Sequence, residues 1–225
     1  MSEIDLIGTF TTSEMERATG LPDRSIELLK REGLMPGQVT TPVRGRPARY
    51  AFSGLKHLSD VSALSKATDS MVTAARIITA IMSMLPRNYN GFHSHQGDLE
   101  WKVLDDIMRG PDGEICPYRL IETAWRRGLF DECKARPNDF LLLIVDGEFV
   151  GWSTPTWIKQ PNSALRYAFH GKSAGVKIEA FEGEREDAIF AERFANAEAD
   201  LRLNLSLALR RAIIAIVKAR EAIAQ

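Results

Sequence analysis

The stretch TTSEMERATGLPDRSIELLKREGL, residues 11–34, decides the fold of the N-terminal part of this chain. Thr12 or Ser13 is suited to cap a first helix, because their hydroxyl groups can accept from the free N–H groups of its first turn. Gly20 is expected to end that helix, since glycine adopts positive φ without strain. The pattern predicts a short helix followed by a tight turn.

A second short helix is predicted directly after this turn. Asp23 and Ser25 stand where it should begin, Ile26 and Leu29 share its inward face, and Gly33 ends it. Two short helices joined by a turn that starts with glycine form a helix-turn-helix unit. The second helix of such a unit fits the major groove of duplex DNA.

The residues after the second helix indicate a wing and two further helices. Val39 and Tyr50 are predicted to lie in two short strands, with a basic tip at residues 44–47 between them. A helix should begin at Ser53, and another apolar helix is predicted over about residues 70–85. The apolar residues of the first of these two helices are Leu55, Leu58, Val61 and Leu64.

The charge of the chain is balanced overall but uneven along its length. The 225 residues carry a formal net charge of −1, which argues against a protein that coats nucleic acid through global basicity. Between Asp23 and Lys56, however, the chain has seven basic and three acidic residues. This local excess of positive charge favours a phosphate-facing surface.

The predicted DNA contacts come from the second helix and the wing. Most are expected to touch phosphates or line a groove, whereas Ser25 and Glu27 are candidates for contacts with base edges. A glutamate can accept a hydrogen bond from a cytosine amino group. The complete set is Arg24, Ser25, Glu27, Lys30, Arg31, Arg44, Arg46, Arg49 and Tyr50.

The same residues resemble the DNA-binding domain of MerR-like transcription regulators over the first third of the chain. The resemblance rests most on residues 31–34 (REGL), which follow Gly20 at the family's spacing and precede a basic wing with Tyr50. It implies a homodimer that binds promoters through the second helix and the wing. The other matching segments are residues 10–14, 19–22 and 44–50, with Leu55 and Leu58.

The chain departs from the family at three positions that bear on contact with DNA. Glu27 and Leu29 stand where the family usually has arginine and tyrosine, and Ala48 stands where it has the arginine of the wing. Arg49 is displaced by one residue from that position. No cysteine matches the metal-sensing members, so metal sensing is not implied.

The wing also resembles the core of an AT-hook at Arg44-Gly45-Arg46-Pro47. Two arginines that flank a glycine can lie in a narrow A·T minor groove, where a bulkier backbone would clash. The alternative is a basic wing that touches only phosphates.

The middle segment, residues 98–183, is predicted to be a separate α+β domain. Helices are expected at 98–108 and 118–129, a hairpin at 140–152 with its turn at Asp146-Gly147, and further strands at 164–170 and 176–181. The role of the segment is open, with a protein or small-molecule effector as a candidate. No catalytic motif occurs, so we do not expect an enzyme.

The candidate metal and redox residues are sparse, and we expect no metal and no cofactor. His93 and His95 have no clear companion ligand, so they are interpreted as loop residues. Cys116 and Cys133 do not form a Cys-x-x-Cys pair and are interpreted as reduced thiols.

The C-terminal segment, residues 184–225, lacks glycine and proline and is predicted to be one long helix assigned to dimerisation. Its apolar positions recur with steps of three, four and four, which gives an apolar stripe. That stripe can fold back on the sheet or pair with a second chain.

The sequence as a whole predicts an α+β protein with a winged helix-turn-helix at residues 9–86. It favours a dimeric, sequence-specific transcription regulator, with repression slightly favoured, acting on double-stranded DNA in the bacterial cytoplasm and nucleoid. Neither a signal peptide nor a membrane span is expected. The alternatives are an architectural or excisionase-like DNA-bending protein, and a protein-interaction or ligand-sensing module.

Overall fold

The computed structural model describes residues 9–40, 47–68, 70–84, 126, 128, 134–136, 139–146, 149–153, 168–170, 179–181, 192 and 194–225. Within these ranges the chain is a mixed α and β protein. The helices are α1 (Thr12–Thr19), α2 (Asp23–Arg31), α3 (Phe52–Ser65), α4 (Met71–Met84) and α5 (Leu205–Ala224). The strands are β1 (Thr9–Thr11), β2 (Gln38–Thr40), β3 (Arg49–Ala51), β4 (Leu141–Val145), β5 (Phe149–Ser153), β6 (Ala168–His170), β7 (Glu179–Phe181) and β8 (Asp200–Asn204).

Contacts between residues divide the chain into two compact units. The first contains the described residues up to 62, those from 126 to 134, and 207–225. The second contains the described parts of 63–84 and 135–206. This grouping differs from the three predicted segments, because α4 belongs with the second unit and most of α5 belongs with the first.

The first unit contains α1, α2 and a three-stranded antiparallel sheet in the order β1-β3-β2. Its core combines side chains from α1, α2, α3, β1 and β3, since a single short helix or strand cannot bury its own apolar face. The buried side chains include those predicted on α3, namely Leu55, Leu58 and Val61, together with Phe10, Met15, Ile26, Leu29 and Tyr50.

The second unit contains a five-stranded antiparallel sheet in the order β7-β6-β5-β4-β8. The predicted hairpin is confirmed, with Leu141 opposite Ser153 and Val145 opposite Phe149. Asp146 has a φ of 52°, the left-handed conformation that a tight hairpin turn requires. The two further predicted strands are confirmed over their described residues as β6 and β7, which pair with each other.

The prediction of one continuous helix over residues 184–225 is wrong at 200–204. These residues, Asp-Leu-Arg-Leu-Asn, form β8, which pairs along the whole length of β4. Their polar and apolar side chains alternate with a period of two, which suits a strand that packs one face against a core. Leu201 and Leu203 lie on one face of the strand and are half-buried, whereas Arg202 lies on the other face and is exposed.

The start of α5 is held against the start of β4 by two hydrogen bonds. The Leu205 N–H donates to the Phe140 carbonyl oxygen at 3.0 Å, and the Phe140 N–H donates to the Ser206 hydroxyl oxygen at 2.9 Å. Asn204 adds a bond from its side-chain amide to the buried carboxylate of Asp139 at 2.8 Å. The chain therefore changes from strand to helix at a fixed point.

The apolar face of α5 is buried within the chain itself. Ile213 is fully buried, Ile216 and Val217 are each 1% exposed, and Ile223 near the end of the helix is 79% exposed. The apolar side chains in the middle of the helix are therefore covered by other residues of the same chain. From residue 207 on, the helix belongs with the first unit and not with the five-stranded sheet on which the sequence allowed it to fold back.

Several predicted features lie outside the described residues. They are the tip of the wing with Arg44 and Arg46, the loop with His93 and His95, and both cysteines. Of the predicted helices at 98–108 and 118–129, the structure describes only Arg126 and Gly128. Among the helices that it does describe, none combines the length and the apolar composition needed to cross a membrane.

Replacing Ile213 with alanine should lower the free energy of unfolding by about 2–5 kcal/mol, because it removes buried methyl groups and leaves a cavity. Replacing Ile223 with alanine should change it by less than about 0.5 kcal/mol, as expected for an exposed position. Urea unfolding of both variants measures the difference. If α5 folds back, the loss for Ile213→Ala is the same at low and high protein concentration. A loss that varies with concentration would instead indicate a helix shared between chains.

Candidate nucleic-acid interface

Helix α1 begins with a capping box rather than with the predicted cap at Thr12 or Ser13. The Thr11 hydroxyl accepts from the Glu14 N–H at 3.2 Å, and the Glu14 carboxylate accepts from the Thr11 N–H at 2.8 Å. Each residue thus satisfies a backbone N–H that the helix start leaves free. Ser13 also has a glutamate three positions later, Glu16, but the box that forms is the one between Thr11 and Glu14.

The turn between α1 and α2 is fixed from both sides. Gly20 has a φ of 73°, as predicted, and its N–H donates to the Glu16 carbonyl oxygen at 2.8 Å. The Ser62 hydroxyl of α3 donates to the Thr19 carbonyl oxygen at 2.7 Å, which satisfies a group left free at the end of α1. The end of α1, where the turn to α2 begins, is therefore bonded to α3.

Helix α2 is anchored on one face and closed at its C-terminal end. Ile26 and Leu29 are fully buried, as predicted. At the end of the helix, Gly33 has a φ of 70°, and its N–H donates to the Lys30 carbonyl oxygen while the Leu34 N–H donates to that of Leu29. This pair of bonds is a Schellman motif. The remaining face of α2 is thereby held outward.

The three-stranded sheet is attached to the start of α3 at Gly37. This residue has a φ of 77°, and a Cβ atom placed on it would lie 2.6 Å from the Ser53 hydroxyl oxygen and 2.8 Å from the Gly54 nitrogen. Only glycine allows both the conformation and the close approach. The Gly37 carbonyl oxygen accepts from the Ala51 N–H at 2.7 Å, which fixes the position of β2 beside β3.

The predicted contact residues of α2 divide into exposed and partly buried groups. Arg24, Glu27 and Arg31 are exposed, whereas Ser25 and Lys30 are half-buried. Neither Arg24 nor Arg31 has an ion-pair partner within the part of the chain that the structure describes. Lys30 differs, because its ammonium lies 2.8 Å from the Glu27 carboxylate. Two guanidinium groups thus remain available on the outward face.

The predicted contact residues of β3 are less exposed to solvent than those of α2. Arg49 is half-buried, and its guanidinium donates to the Thr9 hydroxyl oxygen of β1 at 3.3 Å. Tyr50 is fully buried, so its assignment as a DNA contact is wrong. A tyrosine in the middle strand of a sheet that packs on helices points its ring into the core when its strand neighbours point outward. Ala48, which replaces the arginine of the resembled family, is also buried.

An arginine near the C-terminus completes the site, and sequence reasoning missed it. The Arg220 guanidinium donates to the Glu14 carboxylate at 2.7 Å and to the Thr9 carbonyl oxygen at 3.1 Å. It also lies over the ring of Phe10, 5.6 Å from its centre. No local pattern signals a contact between residues so distant in sequence. The last turns of α5 are therefore joined to β1 and to the cap of α1.

The pKa of Glu14 reflects these contacts. Burial alone would raise the pKa of this carboxyl group, but the hydrogen bonds from Arg220 and Thr11 and the charge of Arg220 outweigh burial, so the pKa is lowered from 4.5. Glu14 is consequently ionised in the folded protein at neutral pH.

Helix α3 carries a buried polar group that sequence reasoning also missed. The Lys56 ammonium lies 2.8 Å from the Asp60 carboxylate, which is almost fully buried. Burial raises the pKa of Asp60 against the opposing effect of Lys56. Next to them, burial and the charge of Lys56 lower the pKa of His57 to about 4, so this histidine is neutral at physiological pH. The group supports α3 from inside and offers no surface for DNA.

Metal ligands do not accompany this site in the described part of the chain, where no three histidine, cysteine or acidic side chains come together to hold an ion. No protein-family model matches the chain, and no curated protein matches it either. The function is therefore inferred from the geometry and charge of the residues above.

Replacing Arg220 with methionine should lower the free energy of unfolding by about 1–3 kcal/mol at pH 7, because Glu14 and the Thr9 carbonyl lose a charged donor. The pKa of Glu14 is lowered by folding, so the stabilisation is present above pH 4.5 and is lost as the pH falls through the lowered value. The difference between the wild type and Arg220→Met should shrink accordingly below pH 4.5.

Urea unfolding at several pH values tests this pH dependence. Lys66→Met removes an exposed positive charge outside these contacts and serves as the control. A loss for Arg220→Met that stays constant from pH 7 to pH 3 would contradict an ionic link with Glu14.

Proposed function

We propose that this chain is a sequence-specific DNA-binding regulator that reads duplex DNA with α2 in the major groove. The observation that carries this proposal is the outward face of α2. This face holds two exposed arginines, Arg24 and Arg31, on a helix that is anchored by Ile26 and Leu29. A rigid helix with free guanidinium groups suits phosphate contacts that fix its register on the duplex.

The arrangement around α2 supports a winged helix-turn-helix. In such a unit the second helix enters the groove, and a two-stranded wing extends beside it. Here α1 and α2 are joined by a tight turn at Gly20, and β2 pairs with β3 as the stem of the predicted wing. The tip of that wing carries Arg44 and Arg46 in the sequence. Both arginines are proposed to contact DNA together with α2.

The proposal includes action as a homodimer on a palindromic operator, as the resemblance to MerR-like regulators implies. A two-fold protein reads two half-sites about one helical turn apart. The apolar face of α5 is buried over Leu209–Val217, so the dimer contact is proposed to lie elsewhere on the chain. Regulation of transcription follows from occupancy of such an operator.

Selecting bound duplexes from a random DNA pool with the full chain tests the proposal. We expect enrichment of one palindromic site and binding that weakens as salt concentration rises. Arg31→Ala should weaken binding to all sequences and lower the slope of log affinity against log salt by about one, because one phosphate contact is lost. Lys66→Ala, which removes an exposed lysine outside α2, should leave the slope unchanged.

The outcome of the selection separates the alternatives. Salt-sensitive binding without an enriched site would favour the architectural function. Failure to bind any duplex at low salt would refute DNA binding and favour an interaction module. Repeating the selection with Arg46→Ala tests the wing, since loss of an A·T preference indicates insertion into the minor groove and its retention indicates phosphate contact.

A further inference from the structure

Among the three basic residues of α2, Lys30 is the one that forms an ion pair within the described residues. Its ammonium lies 2.8 Å from the Glu27 carboxylate, and only 21% of its side chain is exposed. Arg24 and Arg31 on the same helix are exposed. A lysine that is largely covered and already paired is poorly placed to follow a phosphate, which needs a free and flexible charge.

The ammonium of Lys30 has a second neighbour in the core. The Glu27 carboxylate raises the pKa of Lys30 most, burial opposes this effect, and the Tyr50 hydroxyl adds to it. The hydroxyl oxygen of Tyr50 is buried and makes no hydrogen bond, so its effect on Lys30 is electrostatic. The contact that fixes the Lys30 ammonium is therefore the one with the Glu27 carboxylate.

Glu27 stands at the surface end of this connection. Its side chain is 54% exposed, and only its Oε1 atom meets Lys30. The second carboxylate oxygen remains able to accept a hydrogen bond from outside the protein. Because Lys30 is largely covered and engages the other oxygen, the carboxylate is oriented before any ligand arrives, which reduces the entropy lost on binding.

A carboxylate on a DNA-facing helix restricts what the helix can bind. It is repelled by phosphates, so it is favourable only where a base offers a donor in the major groove. Cytosine offers its amino group there, whereas adenine places the N7 acceptor beside its amino group, and guanine and thymine offer acceptors. The preferred partner of Glu27 is therefore a cytosine.

We propose that Glu27 is a specificity-determining residue that reads a cytosine in each half-site, and that Lys30 is a positioning residue that holds its carboxylate. This inference rests on the DNA-binding function proposed above and adds the base that the helix reads. It also reassigns Lys30, which the sequence predicted as a direct DNA contact.

Selection of bound duplexes with the full-length Glu27→Gln variant tests the role of Glu27. The amide of glutamine pairs with adenine through both N6 and N7. We therefore expect one cytosine position in each half-site to change toward adenine, with the preference for cytosine over adenine falling about tenfold or more. Glu16→Gln removes the same charge from the exposed surface of α1 and should select the wild-type site.

Lys30→Met and Lys30→Arg test the positioning role. Lys30→Met should weaken the preference for cytosine about tenfold, yet leave the salt slope of binding unchanged because no phosphate contact is lost. Lys30→Arg keeps the charge beside Glu27 and should restore the preference. Thermal unfolding confirms that each variant is folded, and Glu27→Gln, at an exposed position, tests the proposal even if Lys30→Met fails to fold.

Each result supports or overturns the inference. If the wild type enriches a site and Glu27→Gln enriches the same site, Glu27 does not read a base and the inference fails, while the DNA-binding function stands. If Lys30→Met lowers the salt slope by about one and keeps the cytosine, Lys30 is a phosphate contact and its positioning role is refuted. If the wild type binds no duplex, the proposed function fails and this inference fails with it.

Discussion

The carboxylate of Glu14 joins parts of the first unit that are far apart in sequence. One of its oxygens closes the capping box with Thr11, and the other accepts from Arg220, 206 residues later. Arg220 also reaches the Thr9 carbonyl in β1, and β1 pairs with β3. The start of α1, the edge of the small sheet and the end of α5 thus depend on one ion pair. The orientation of α2 follows, because α1 and the turn at Gly20 position it.

The elements of the first unit were predictable because their signals are local. Gly20 and Gly33 adopt the positive φ values expected of helix ends, and the leucines of α3 are buried at the expected spacing. The hairpin at Asp146 was equally clear, since a two-residue turn signal separates two apolar runs. Each of these features is decided within a few residues. The cap was not decided in this way, since Thr11 with Glu14 and Ser13 with Glu16 both have the sequence of a capping box.

The remaining errors share a physical cause, which is that tertiary contacts override local pattern. Residues 200–204 fit a helical stripe and a strand equally well, and pairing with β4 decides between them. Tyr50 belongs to the basic wing by sequence, yet its strand buries it. The pairing of Lys30 with Glu27 is of a different kind, because it joins residues three apart on one helix and so lies within reach of local reasoning. For the candidate site, sequence therefore predicted the helix and its exposed arginines, but not which charges are already engaged.

The charges of α2 indicate how affinity and specificity would be divided in a DNA complex. Arg24 and Arg31 are available for phosphates, while Lys30 is largely neutralised by Glu27. If α2 binds DNA, pairing of Lys30 with Glu27 would leave two cations on this helix for counterion release, so α2 itself would add little affinity for arbitrary sequences. Glu27 would lower that affinity further through repulsion of phosphates, unless a base donor compensates. The same acid that departs from the resembled family would thus discriminate against wrong sites, and specificity would come as much from rejecting them as from binding the right one.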